Sequence, residues 1–213
     1  MIRLEGFGLH GGRPSAILLR RAPGPTTIGC AHDRAPLAAL AIVGGDRATT
    51  ATLPSGAMIG SVEHMLAAIA GTRTFSGLSV DVEGDEVPLL DGCASEMVRA
   101  IEALDLPLDA SPPARVVRSA ELRVDDAVYS FSPSDPSSTS PREIAVAVDF
   151  PAARFGRALS GHASWMGTLA SFRDEVAPAR TFGARRELDE LRARGLAAHV
   201  PVGAVVALDV DDE

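Results

Sequence analysis

Aromatic residues are scarce in this chain: Phe, Trp and Tyr together make up 4% of its 213 residues. A packed core must therefore come from small aliphatic side chains, and Ala, Val and Leu carry most of a 46% hydrophobic content. That content excludes a disordered polymer and points to a globule of one large or two small domains. Cysteine is nearly absent. Cys30 and Cys93 have neither disulfide-framework nor zinc-knuckle spacing, so they read as free thiols of a reducing compartment. Cationic side chains are outnumbered, 20 against 28 acidic ones, for a net charge of −8. A nucleic-acid surface needs clustered positive charge, and none is written here. No apolar run reaches the roughly 20 residues of a membrane span. The first six residues lack the apolar stretch of a signal peptide, so the expected location is the cytoplasm.

What is present divides into two halves. The first opens on the glycine-rich turn Gly6-Phe7-Gly8-Leu9-His10-Gly11-Gly12, followed by a strand-like run, Ala16-Ile17-Leu18-Leu19, and then an irregular stretch. Val62, Met65, Leu66 and Ile69 recur at helical spacing and predict a helix over 61–71, with Ser61 as its N-cap. The alternation Leu78-Ser79-Val80-Asp81-Val82 predicts a strand with one buried face. The turn Asp91-Gly92 leads into a second helix bearing Met97, Val98, Ile101 and Leu104 on one side. Pro107, Ser111, Pro112 and Pro113 break the pattern. The expected organisation is a first α+β domain over 1–106, a Pro-rich linker over 107–115 and a second α+β domain over 116–213. In the second domain, strands are expected at 120–124, 127–131 and 204–208, and the alternation of Ile144, Val146, Val148 and Phe150 reads as a half-buried strand. An exposed Ser/Pro loop falls at 132–141, and helices are expected over 169–176 and 185–194, the latter stopped by Gly195. The fold class is α+β: two stacked two-layer sandwiches, the second without a final long helix.

Glu63-His64 is the pair with the most chemistry. On the predicted helix His64 lies nearly opposite the apolar stripe, beside Gly60, Ala67, Ala68 and Gly71. Such a smooth face lets another layer come close and places the imidazole toward an interface or cleft. The plain alternative is surface chemistry, with Glu63 favoured at a helix N-terminus by the dipole alone. Cys30 and His32 form a short metal-compatible pair but have no second pair to complete a site. His162 and His199 read as surface or loop residues. Arg180 suits either a substrate phosphate or an internal carboxylate, with the internal pair favoured.

Four segments together resemble the zinc-dependent UDP-3-O-acyl-N-acetylglucosamine deacetylases of lipid A synthesis. They are the turn from Gly6 to Gly12, the run from Ser61 to Gly71, Glu86-Val87-Pro88-Leu89-Leu90-Asp91-Gly92-Cys93-Ala94, and Ala177-Pro178-Ala179-Arg180-Thr181-Phe182-Gly183. The resemblance implies two α+β layers face to face with zinc in the cleft between them. It makes His64 a zinc ligand, Glu63 the general base for a zinc-bound water, and Thr181 a donor to the developing oxyanion. Phe182 becomes a wall near the sugar and acyl chain, and His10 a residue at the rim of the substrate cleft. The implied ligand is a nucleotide-sugar lipid.

The departures shape the expectation of activity. The other family ligands lie in a His-Lys-x-x-Asp motif on a long helix, with a general-acid His later still, and neither is matched in 1–213. A catalytic zinc uses three protein ligands and an open position, so His64 alone is expected to hold metal weakly, with His10 or His199 as possible substitutes. Autonomous hydrolysis is then doubtful. The alternative is an inactive relative that binds metal or a nucleotide-sugar lipid as a regulator, a metal carrier or the partner of a full-length homologue. An exposed apolar surface would favour a homodimer.

Overall fold

Alternating apolar side chains build the first layer. Ile17, Leu19, Ile28, Leu78, Val80 and Val82 are all buried on one side of a sheet. In this computed structural model the described residues are 1–44, 48–106, 116–133, 143–150, 159–195, 199–201 and 203–208. The sheet comprises Ile2–Phe7 (β1), Pro14–Pro25 (β2), Thr27–Cys30 (β3), Asp33–Pro36 (β4) and Ser76–Glu83 (β8). Their order is β1-β2-β8-β3-β4, antiparallel throughout except for the parallel pair β3 and β8. Its opposite face is charged: Arg20 and Arg34 converge on Asp81, and Arg3 reaches Glu83.

Two helices cover the apolar face. The first, α1 (Glu63–Gly71), buries Met65, Ala68, Ile69 and Gly71, the i, i+3, i+4 pattern of a helix with one core face. Ser61 does not cap it. Val62 occupies the N-cap position without a side-chain cap bond, because Ser61 is turned out of the helix at a φ of 55° and gives its hydroxyl to Glu86 instead. Thr72 closes the other end, its amide and hydroxyl both donating to the Ala68 carbonyl. The second helix, α2 (Ser95–Ala103), buries Met97, Val98, Ala100 and Ile101.

The stretch expected to be irregular contains ordered strands. Besides β3 and β4 it holds Ala41–Gly44 (β5), Thr49–Thr52 (β6) and Met58–Ile59 (β7), a separate three-stranded sheet. These strands are only two to four residues long, too short to show an apolar alternation; Ala51, Leu53 and Ile59 anchor β6 and β7 in the common core, and β5 is held by its pairing with β6.

The second half is α+β in content, with strands arranged as pairs. Ala120–Val124 (β9) and Ala127–Phe131 (β10) form one hairpin, and Ile144–Phe150 (β11) pairs with Leu159–Trp165 (β12). Thr181–Ala184 (β13) runs parallel to Val205–Leu208 (β14). Register places Leu122 opposite Tyr129, and Ile144 opposite Trp165, so each hairpin has an apolar face. That face is not half-buried as the alternation suggests: Leu122, Tyr129, Ile144 and Val146 are each more than half exposed. The helix expected over 169–176 is a single α-turn, Leu169–Ser171, widening into a π-turn, Phe172–Val176. The helix Arg185–Ala193 buries Leu188. The linker over 107–115 and most of the loop over 132–141 lie outside the described residues.

One segment of this half enters the first. Phe172 and Ala177 belong to the same apolar core as the sheet and both helices. The Ala94 amide donates to the Ala177 carbonyl at 2.9 Å, and the Thr181 amide to the Gly92 carbonyl at 3.0 Å. No helix among the described residues is long and apolar enough to cross a membrane.

Candidate functional site

His64 and Thr181 reach the same place from opposite sides. His64 is on the first turn of α1, on the face away from Met65 and Ile69. Thr181 is carried there because its amide is tied to Gly92, at the entrance to α2. Between them lies a cavity of about 390 Å³ lined by His64, Ala67, Ala94, Phe172, Thr181 and Phe182, among others. Small residues at Ala67 and Ala94 leave this space open. Phe182 is partly exposed at its edge and meets Phe150 edge-on, ring centres 5.8 Å apart.

Burial pushes the His64 imidazole below its ordinary range, against the opposing pull of the Glu63 and Asp91 carboxylates. A neutral imidazole is the form that offers a lone pair to a metal or a proton. Glu63 does not line the cavity; its carboxylate accepts from the Thr49 amide at 3.3 Å, one residue away from His64 along the helix. Asp91, expected to turn the chain into α2 and, from the family resemblance, to have a structural role near the cleft, is an electrostatic neighbour of His64. Its carboxylate also accepts from the Cys93 amide and thiol at 3.3 Å.

The other candidates gather elsewhere. His10 sits with Glu86 and Ser61 at the glycine-rich turn. His199 packs against Phe7, ring centres 5.4 Å apart. Its Nε2 lies 2.9 Å from the Gly8 carbonyl, and since a carbonyl only accepts, that nitrogen donates and carries no lone pair for a metal. Arg180 lines the same cavity, and its guanidinium donates to the Gly203 carbonyl at 2.7 Å, a backbone acceptor and not the internal carboxylate favoured from the sequence. Cys30 is half-buried, and its thiol is pushed up by burial and by Asp33.

Glu86 is the residue whose importance the sequence hid. Its carboxylate accepts from the Gly11 amide at 2.6 Å, the His10 amide at 3.1 Å and the Ser61 hydroxyl at 3.0 Å. Burial raises its pKa, but these bonds and the His10 ring outweigh that and bring it down to about 2. Glu86 opens one of the four family-like segments, and Gly8 and Gly11 of the turn together with the distant Gly60 all back onto its side chain.

The fold is thus α+β, with a half-buried histidine facing a threonine across a cavity. The chain belongs to the LpxC family, UDP-3-O-acyl N-acetylglycosamine deacetylase, whose model matches residues 1–212. It is 32% identical over 217 residues to the UDP-3-O-acyl-N-acetylglucosamine deacetylase of Thioalkalivibrio sulfidiphilus (strain HL-EbGR7), covering 98% of this chain and 68% of that protein. The enzyme of the same name from Brucella melitensis biotype 2 (strain ATCC 23457) is 30% identical over 92% of this chain and 68% of its own length. That from Hahella chejuensis (strain KCTC 2396) is 30% identical over 98% and 69%.

Proposed function

We propose that this chain takes UDP-3-O-acyl-N-acetylglucosamine, the substrate for which its relatives are named, into a site made of His64, Thr181 and Phe182, with little hydrolysis by the chain alone. The observation that carries this reading is the shared cavity joining His64 to Thr181 and Phe182. The Thr181 hydroxyl is the donor for a developing oxyanion. Glu63 serves as the base for the attacking water only by leaving the Thr49 amide and turning toward the cavity that it does not line. Phe172 and Phe182 exclude solvent and pack the sugar and acyl portions. The substrate's N-acetyl group would lie in the cavity, with His10 at the rim.

Zinc would polarise the amide carbonyl and acidify the water in such a reaction. Its fit to the described residues is incomplete. They contain no group of three or more His, Cys, Asp or Glu placed to hold a metal, short of the three protein ligands a catalytic zinc uses. One imidazole binds zinc weakly and acidifies its water little.

The test is zinc titration of the purified chain against His64→Ala, with deacetylation followed on the nucleotide-sugar substrate. Expected are weak zinc binding that His64→Ala removes, and no turnover above that variant for the chain alone. Equal zinc binding by wild type and variant would overturn the role of His64. Turnover lost on chelation and restored by zinc would show a complete ligand set and overturn the expectation of inactivity. A second reading has an observation of its own: the exposed apolar faces of the two hairpins suit a non-hydrolytic relative that pairs with a homologue or with itself.

A further inference from the structure

The turn bearing His10 is organised around one buried-edge carboxylate. A Cβ added at Gly8 would stand 2.9 Å from Glu86 Cδ, one at Gly11 3.0 Å from Oε1 and one at Gly60 3.2 Å from Cγ. Three glycines therefore let two backbone segments, the turn and the approach to α1, close on Glu86 more tightly than a Cβ would allow without displacing it. Oε1 takes the Gly11 amide, and Oε2 takes the His10 amide and the Ser61 hydroxyl. The Ser15 hydroxyl donates to the Glu86 carbonyl. Gly60 is pinned alongside by backbone bonds to Asp85 and Val87.

Into this cage the His10 ring brings Nδ1, 3.2 Å from Oε2. A carboxylate has acceptors only, and Glu86 is ionised at neutral pH. The nitrogen facing it must therefore carry the proton. In the neutral ring the lone pair is then left on Nε2, the reverse of the tautomer that predominates in free histidine.

We propose that Glu86 is a positioning residue: it fixes His10 as the Nδ1–H tautomer, making Nε2 the ring's acceptor, and ties the His10 turn to the Ser61 bend that enters α1. The significance for substrate rests on the reading of His10 as a cleft residue; the tautomer does not. With Nδ1 committed to Glu86, any group that meets Nε2 of the neutral ring must bring a proton, whereas the opposite tautomer would offer one.

The experiment is long-range ¹H–¹⁵N NMR of the imidazoles in the full chain at about pH 9, where an ordinary histidine is neutral. His10→Ala identifies the signals among the five histidines. Expected in the wild type is a pyrrole-like Nδ1 and a pyridine-like Nε2 for His10. In Glu86→Gln one oxygen becomes an amide NH₂, and the tautomer ratio should move toward Nε2–H by about tenfold or more, the scale of one charge-assisted hydrogen bond. A wild-type His10 in the Nε2–H form, or shifts unmoved by Glu86→Gln in a folded protein, would overturn the proposal. The wild-type measurement decides alone if the variant does not fold. Failure of the deacetylase reading would appear in zinc binding and turnover and leave these shifts as expected.

Discussion

Replacing Gly71 by Ala should loosen the latch between the two halves of the chain, although Gly→Ala in a helix ordinarily stabilises. Gly71 is the last residue of α1, where the propensity gain is at most about 1 kcal/mol. Against it stands the Phe172 ring. The added Cβ would lie 2.5 Å from Cγ and nearer still to Cδ1 and Cε1, while carbon atoms pack at about 3.5–4 Å. The ring must retreat by about 1 Å or more, yet it is 4% exposed and is held edge-on to Trp165, with centres 5.6 Å apart. Overpacking of this kind costs about 1–3 kcal/mol, so the net loss should be about 1–2 kcal/mol. Phe172→Ala alone should cost about 3–5 kcal/mol. In that background the new methyl enters vacated space, and Gly71→Ala should become neutral or stabilising. Urea unfolding of the four proteins gives a double-mutant cycle with a coupling of about 2 kcal/mol. Equal destabilisation by Gly71→Ala in both backgrounds would refute the steric argument, as would stabilisation of the wild type.

Gly92→Ala is expected to be worse, because the obstacle is main chain: at a φ of +83° the Cβ would meet the Ala204 carbonyl carbon at 2.5 Å and its oxygen closer still. Thermal unfolding should lose about 3 kcal/mol or more, against about 1–2 for Gly24→Ala, where φ is +84° but nothing lies within 4 Å. Acid should expose the Glu86 cage: its folded pKa is about 2 against an ordinary 4.5, so the unfolded chain takes the proton first and stability is lost as pH falls across that interval. The loss should be about 1–3 kcal/mol, and urea midpoints for Glu86→Gln should fall less steeply; parallel profiles would refute it. Thiol reagents at neutral pH should label Cys30 slowly, since burial and Asp33 disfavour its thiolate, and buried Cys93 only on unfolding; fast labelling of Cys93 in the native state would contradict its burial.

The parts of the fold that the sequence made legible are those where one periodicity dominates. The helix around Met65 and Ile69, that around Met97 and Ile101, and the strand Leu78–Val82 each bury a regular stripe, and hydrophobic burial is what holds them. Strands β5 to β7 escaped because Thr49-Thr50-Ala51-Thr52 has no stripe and is ordered by neighbours distant in sequence. The cap at Ser61 was misjudged for a related reason: a local hydrogen bond competed with a carboxylate 25 positions along the chain, and the carboxylate won. In the candidate site, His64, Thr181 and Phe182 were marked by their motifs. Glu86 and Asp91 were quoted in the same motif but given no electrostatic role. A carboxylate's influence depends on what folding brings to it, here a glycine-rich turn with its own histidine and the bend at Gly60.

The apolar faces of the β9–β10 and β11–β12 hairpins bear on the thermodynamics of the molecule as well as on its contacts. Surface that is already wet in the native state releases no further hydration when the chain unfolds. Leu122, Tyr129, Ile144 and Val146 thus contribute little to the heat capacity of unfolding, which for an ordinary domain is about 12–15 cal/mol/K per residue. The same shortfall lowers the denaturant slope, which follows newly exposed area. The chain should therefore have a shallow stability curve for its length, varying gently with temperature around its maximum, and covering those faces would steepen it.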